Sequence, residues 1–292
     1  MDIWLQQLLI GISVGAIYAL IALGYTMVYG IIKLINFAHG DVFMIGAFAG
    51  YYALTTWQMG FFPALLFAMA ASALLGVTIE RVAYRRLRHS PRLAALTTAI
   101  GVSLFLEYVT IYLRGAQPEA YPSLFPNRRL EVLGASIKLD AVVILIVAVA
   151  LMAVLQVIVQ RTKTGKAMRA VSYDMEAARL MGISVDRTIS VTFALGSALG
   201  GAAGVIYGLY YTRIDPLMGV LAGLKAFVAA VLGGIGSIPG AMVGGLVIGV
   251  VETLVSAAGL SLFRDAAAFL ILILILLFRP EGLFGRHAPE KV

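Results

Sequence analysis

Long apolar runs separated by short charged ones make up this chain, and their lengths are those of bilayer-crossing helices. A helix rises about 1.5 Å per residue, so about 20 residues cover a hydrocarbon core of about 30 Å. Runs of this kind lie near 3–31, 42–58, 61–79, 93–113, 139–160, 188–211, 222–236, 239–258 and 263–279. The pattern predicts an all-α, polytopic membrane protein with 8 or 9 crossings, forming a single transmembrane domain over 1–292. Two runs are weaker than the rest. The run 42–58 follows a polar break, and 222–236 would cover only about 22 Å, so either could be a broken or re-entrant helix.

The charged intervals set the orientation. The interval 80–92 carries Arg81, Arg85, Arg86, Arg88 and Arg92 against one acid, and 161–187 carries six Lys or Arg against three acids. Basic residues gather on the cytoplasmic side of membrane proteins, so both intervals are predicted to be cytoplasmic. The loop 114–138, with Pro118, Pro122 and Pro126, then lies outside, and the tail from Arg279 is again cytoplasmic. Nine crossings put the N-terminus outside and eight put it inside. Met1-Asp2-Ile3-Trp4 lacks the basic start of a secretory signal, so the first run is expected to be retained as the first span.

Composition agrees with this class. With 61% hydrophobic and 13% charged residues, and a mean hydropathy of +0.96, the 292-residue chain has too little polar surface for a water-soluble globule. The net charge of +7 sits in short loops beside apolar runs and not in a patch, so nucleic acid is not an expected partner, whereas membrane lipid is. There is no cysteine, and His39, His89 and His287 are scattered without ligand spacing, so no metal site is expected. No Gly-x-x-x-x-Gly-Lys-Ser/Thr loop and no Ser-His-Asp or paired-carboxylate arrangement is present. No catalytic residues and no cofactor are therefore assigned to the chain itself.

Three polar features remain. The segment 34–41, Leu-Ile-Asn-Phe-Ala-His-Gly-Asp, places Asn36, His39 and Asp41 between apolar runs. It reads either as a helix interrupted to line a pathway or as a polar turn at the membrane surface with Asp41 capping the next helix. Glu107 and Glu252 stand inside apolar runs; each is a transport residue, or Glu107 is bonded to Tyr108, Tyr112 or another helix and Glu252 is hydrated near an interface. The cytoplasmic stretch 165–182 contains Glu176-Ala177-Ala178 and Gly182, helix formers closed by a residue suited to a left-handed helix end. So short and polar a helix reads either as one that packs on a soluble partner subunit or as an ordinary surface helix. The run 196–204, rich in Gly, Ala and Ser, has the spacing of a close helix crossing.

The stretch 15–30 running into Ile35-Asn36-Phe37-Ala38-His39-Gly40-Asp41 resembles the N-terminal signature of the branched-chain amino acid permeases of ABC importers. The Glu-Ala-Ala-x-x-x-Gly loop resembles the coupling helix of ABC-importer permeases, and 231–245, with Leu232-Gly233-Gly234-Ile235-Gly236-Ser237, is similar to that family's late glycine-rich element. The three blocks stand in family order over nearly the whole chain. The resemblance implies ATPase coupling at Gly165, Glu176, Ala177, Ala178 and Gly182. It implies a translocation pathway at Asn36, Phe37, His39, Gly40 and Asp41, facing Gly233, Gly234, Gly236 and Ser237. It further implies two ATPase subunits holding ATP and magnesium, a longer homologous permease forming a heterodimer, and a periplasmic or lipid-anchored binding protein, at a bacterial inner membrane. Leucine, isoleucine and valine are the leading substrates, with urea, short amides and other amino acids as alternatives. The rival reading is a stand-alone carrier in which Asp41, Glu107 or Glu252 conducts protons or sodium.

Overall fold

The computed structural model describes residues 2–88, 90–125, 129–132 and 135–285, so His89, Pro126 and His287 lie outside the described residues. In chain order the helices are α1 (Asp2–Ile32), α2 (His39–Thr55), α3 (Phe61–Ile79), a π-helical turn (Glu80–Tyr84) running into α4 (Arg85–Leu87), and α5 (Arg92–Arg114). Then come α6 (Leu139–Arg161), α7 (Lys163–Tyr173), α8 (Met175–Leu180), α9 (Val185–Tyr211), α10 (Met218–Gly233), α11 (Ile238–Ala257) and α12 (Arg264–Phe278). Seven of these segments are long and apolar enough to cross a membrane, while α2 and α10, at 17 and 16 residues, are shorter. Short strands β1 (Glu119–Ala120), β2 (Arg129–Val132), β3 (Ala135–Lys138) and β4 (Arg213–Ile214) decorate one end. The antiparallel pair β1–β4 brings the ends of α5 and α9 to a common face, and β2 pairs with β3.

The core is α1, which is buried along Ala16–Leu23 and packed against α9, α10 and α11. Without a hydrophobic drive between helices in lipid, close packing of small residues is what holds such a core. A Cβ at Gly15 would lie 2.7 Å from Leu246 Cα, and one at Gly11 would lie 2.8 Å from Val250 Cα. Gly30, near the other end of α1, comes beside Gly236, so α1 and α11 run antiparallel. The 196–204 run makes its close crossings within the chain: Gly196 against Gly24, Gly201 against Ala68 and Ser72, and Gly204 against Phe43 and Ala47.

Two boundaries differ from the sequence expectation. Helix α2 starts at His39 rather than 42, and α10 occupies Met218–Gly233 rather than 222–236. In both cases hydropathy discounts the first turn of a helix whose polar or small residues are covered by protein. Gly40 and Asp41 meet Gly219 across the two N-terminal turns, so α2 and α10 begin inside the molecule, and His39 lies level with Gly24 and Gly200. The tail returns to the far end of α10, where Leu283 N donates to Leu232 O at 2.9 Å and Phe284 N to Gly233 O at 3.0 Å. That end also holds Gly236, Gly30 and the Ile32–Ile35 exit of α1. The start of α1 therefore lies on the face opposite the tail, as an odd number of crossings requires.

Replacing Gly15 with Leu forces backbone apart at the α1–α11 crossing. We expect a loss of about 1–3 kcal/mol or more, seen as a lower unfolding temperature in detergent, while the same change at the open position Gly101 leaves it within about 0.5 kcal/mol.

Candidate functional site

The site grows from the break after α1. Lys33 takes a left-handed conformation (φ 54°) that ends the helix, and the chain then crosses to His39 without regular structure. The break is closed by backbone bonds: His39 N donates to Asn36 O at 3.1 Å, and Val42 N to Ala38 O at 3.0 Å. Asn36 is buried, and its Oδ1 accepts the Tyr84 hydroxyl at 3.0 Å. His39 is buried edge-on to Tyr25, with ring centroids 4.9 Å apart, in a slot that the absence of side chains at Gly24 and Gly200 leaves open. Phe37 is half-buried against Phe227, 5.9 Å between centroids.

Asp41 does not cap α2 from outside. It lies in the first turn, where the helix dipole favours a carboxylate, and its Oδ2 accepts the Ser103 hydroxyl. Ser103 also lies 3.5 Å from Glu107, so the partner of Glu107 is this serine, while Tyr108 and Tyr112 point away and are exposed. A small apolar pocket beside the break is lined by Tyr25, Tyr29, Ile35, Phe227, Ala230 and Ile235.

The pathway residues expected together separate into two places. Gly40 and Asp41 face the start of α10, Gly40 at Gly219 and Gly223 and Asp41 at Gly219, while His39 faces Gly24 and Gly200. Gly233, Gly234, Gly236 and Ser237 form the turn at its other end, covered by residues 281–285. Gly234 and Gly236 both have φ 98°, and the Ser237 hydroxyl caps α11 by accepting Gly240 N at 3.2 Å. Ile35, beside the first group, and Ile235, within the second turn, both line the small pocket.

Sequence reasoning missed Lys225. It lies inside α10, 3% exposed, with its ammonium 2.9 Å from Glu252 and 2.6 Å from Asp265, while the Tyr18 hydroxyl donates to Glu252 at 3.0 Å. Glu252 is therefore an internal counter-ion and not a hydrated interfacial acid. The available signal was a lysine in one apolar helix and a glutamate in the next, since an intramembrane charge requires a partner. Outside the spans, Tyr121 packs its ring over Gly208, and burial pushes its phenol well above the ordinary tyrosine range.

The loop between α6 and α9 is a second candidate surface. Asp174 caps α8, accepting Glu176 N and Ala177 N at 2.9 Å each. Gly182 closes it at φ 81°, and Ala178 is the buried anchor, its carbonyl accepting Ile183 N at 3.0 Å. Glu176 and Ala177 are exposed, and Tyr173, Leu180 and Met181 stand 89%, 88% and 82% exposed. Gly165 is elsewhere, buried at the α6–α7 corner, its N–H donating to Thr162 Oγ1 at 3.1 Å.

Residues 7–278 match the family described as branched-chain amino acid transport system, permease component. The chain belongs to that family. It is 45% identical over 305 aligned residues, covering 99% of the chain and 98% of the relative, to the high-affinity branched-chain amino acid transport system permease protein LivH of Salmonella typhimurium strain LT2 and to that of Escherichia coli K12. To the Pseudomonas aeruginosa protein BraD of the same description it is 44% identical over 301 residues, with the same coverage. The solved PsaBC from Streptococcus pneumoniae, in complex with Fab, shares the fold at a TM-score of 0.51 and 13% identity over 97% of this chain and 94% of that one. The branched-chain amino acid permease family accounts for the multi-pass, all-α architecture, and no group of metal-binding side chains occurs among the described residues.

Changing Lys225 to Met in this permease leaves Glu252 buried without its cation. We expect a loss of about 3–5 kcal/mol, read as a lowered unfolding temperature in detergent, with partial recovery when Glu252→Gln is added.

Proposed function

We propose that this permease imports branched-chain amino acids across a bacterial inner membrane, driven by ATP hydrolysis on two partner ATPases docked at α7–α8. The observation that carries the reading is the tip of that loop. A six-residue helix is too short to hold its own shape in water, yet here it is capped at both ends and displays Leu180, Met181 and Tyr173 to the outside. An aromatic and two flexible apolar side chains on a firm base are the composition of a protein-binding surface. The relatives' description as branched-chain amino acid transport permeases supports the substrate class.

In this reading the tip, the basic interval after α3 and the tail face the cytoplasm, which agrees with the excess of Arg and Lys there. A second, homologous permease completes the pathway in the membrane. A substrate-binding protein delivers the amino acid to the opposite face, near β1 and β4. ATP binding closes the ATPases, α8 moves with them, and the pathway around Asn36, Phe37, His39, Gly40 and Asp41 switches sides. Its walls at Tyr25, Phe37 and Phe227 suit an aliphatic side chain. The chain supplies no hydrolytic groups to this cycle. ATP and magnesium belong to the partners.

The test is isolation from native membranes in mild detergent, followed by uptake into vesicles with a leucine-loaded binding protein. We expect an ATPase and a second permease to copurify, and Leu180→Asp to reduce both ATPase recovery and uptake by more than about tenfold, since truncating an interface anchor costs on the order of 2 kcal/mol or more. A single chain that takes up leucine on an ion gradient without ATP would overturn the reading.

A further inference from the structure

The Glu80–Tyr84 segment is the only π-helical turn among the described residues, and such turns recur at functional positions because they re-aim side chains. Here it aims two buried side chains in different directions. Glu80 accepts the Ser190 hydroxyl at 2.7 Å and the Arg88 guanidinium, and Arg88 also grips Asp186, which Arg85 meets at 2.5 Å. Asp186 is the second residue of α9, four residues beyond the Gly182 that closes the docking helix α8. Tyr84 turns the other way and donates to Asn36 Oδ1 at 3.0 Å, its ring held 5.5 Å from that of Phe193. Asn36 in turn offers its carbonyl to His39 N, the first residue of α2.

Resting on the docking reading above, we infer that Arg88 and Tyr84 are positioning residues that carry displacement of the α8 loop to the break before α2. A push on α8 enters α9 at Val185 and Asp186. The paired arginines transfer it to the π-helical turn, and the Tyr84 hydroxyl delivers it to Asn36, which is fixed to the start of α2. The Arg88–Glu80 and Tyr84–Asn36 links are directed polar contacts in a poorly hydrated setting, where they are stronger and stiffer than in water, while the Asp186 end is half exposed. An ion cluster that only glued α3 to α9 would end at Glu80 and Arg88. The Tyr84 bond is superfluous to that joint, since the ring already packs on Phe193, and it is aimed at a segment with no regular structure. The Lys225 cluster, by contrast, joins helices without touching either the docking loop or the break.

The experiment compares unmodified importer, Tyr84→Phe, Arg88→Ala, Arg88→Lys and Asp186→Asn, each with its ATPases and leucine-loaded binding protein in proteoliposomes, reading leucine transported per ATP hydrolysed. We expect Tyr84→Phe, which loses one buried directed bond, and Arg88→Ala, which loses the links to both Glu80 and Asp186, to hydrolyse ATP within about twofold of the original per assembled complex, with transport per ATP lower by about tenfold. Arg88→Lys, which keeps one charged link, recovers part of the loss. Transport and hydrolysis falling in step with the amount of assembled complex would make both residues merely structural and overturn the inference. Asp186→Asn alters a half-exposed side chain and therefore leaves folding intact; full coupling in that variant overturns the inference as well. Absence of any ATPase from the unmodified protein would overturn the docking reading itself, before any substitution is made.

Discussion

A polar group in the hydrocarbon layer has no water to turn to, and this constraint organises everything that is not a plain apolar helix here. The chain nevertheless breaks its backbone at 33–38, starts α10 within the molecule, and buries Asp41, Glu80, Glu107, Lys225 and Glu252. Each departure is covered by protein. The freed carbonyls of the break accept His39, Asp41 and Val42 amides. Lys225 lies between two carboxylates and Glu80 holds Arg88, so neither charge is left alone. Asp41 sits at its own helix N-terminus and against that of α10, two partial positive charges that no sequence pattern names.

Covering those groups requires the backbones to come close, and glycine makes that possible. His39 fits only because Gly24 and Gly200 leave room for its ring. The meeting of α2 and α10 requires Gly40 and Gly219 to lack side chains, since a Cβ at Gly219 would stand 2.5 Å from the Gly40 carbonyl oxygen. The same residues that lower hydropathy at the start of α2 thus make its burial possible. This is why the run read as 42–58 begins at His39, and why a segment that looks short for a crossing begins beside it.

Long apolar periodicity made the crossings legible, and the basic intervals marked which ends share a face. The short helix α8 was legible from Glu176-Ala177-Ala178 and Gly182, because caps and left-handed closures are local chemistry. Contacts between distant segments were not. Nothing near Glu252 in sequence announces Lys225 or Tyr18, and nothing near Asn36 announces Tyr84. Gly165 illustrates the converse: it stands within the charged stretch, yet its place is a buried helix corner where packing and a Thr162 cap decide its identity. Gly233, Gly234 and Gly236 likewise read as pathway residues, whereas two of them supply the positive φ of a turn that the tail seals.

Packing is distributed unequally, and that inequality bears on mechanism. The apolar windows of α1 and α9 are 78% and 72% buried within the chain, against 28% for α5, 28% for α6 and 6% for the segment that includes α12. A core in backbone contact resists sliding, because close-packed interiors have discrete arrangements and deform little between them. The α7–α8 loop joins α6 at one end to α9 at the other, so it connects a loosely held helix to one of the most firmly held parts of the fold. A force applied at α8 therefore cannot be absorbed by shearing α9 against α1 or α3. In the proposed cycle it is relieved through loosely held α6 and where regular structure is already interrupted, at the π-helical turn and at the break before α2.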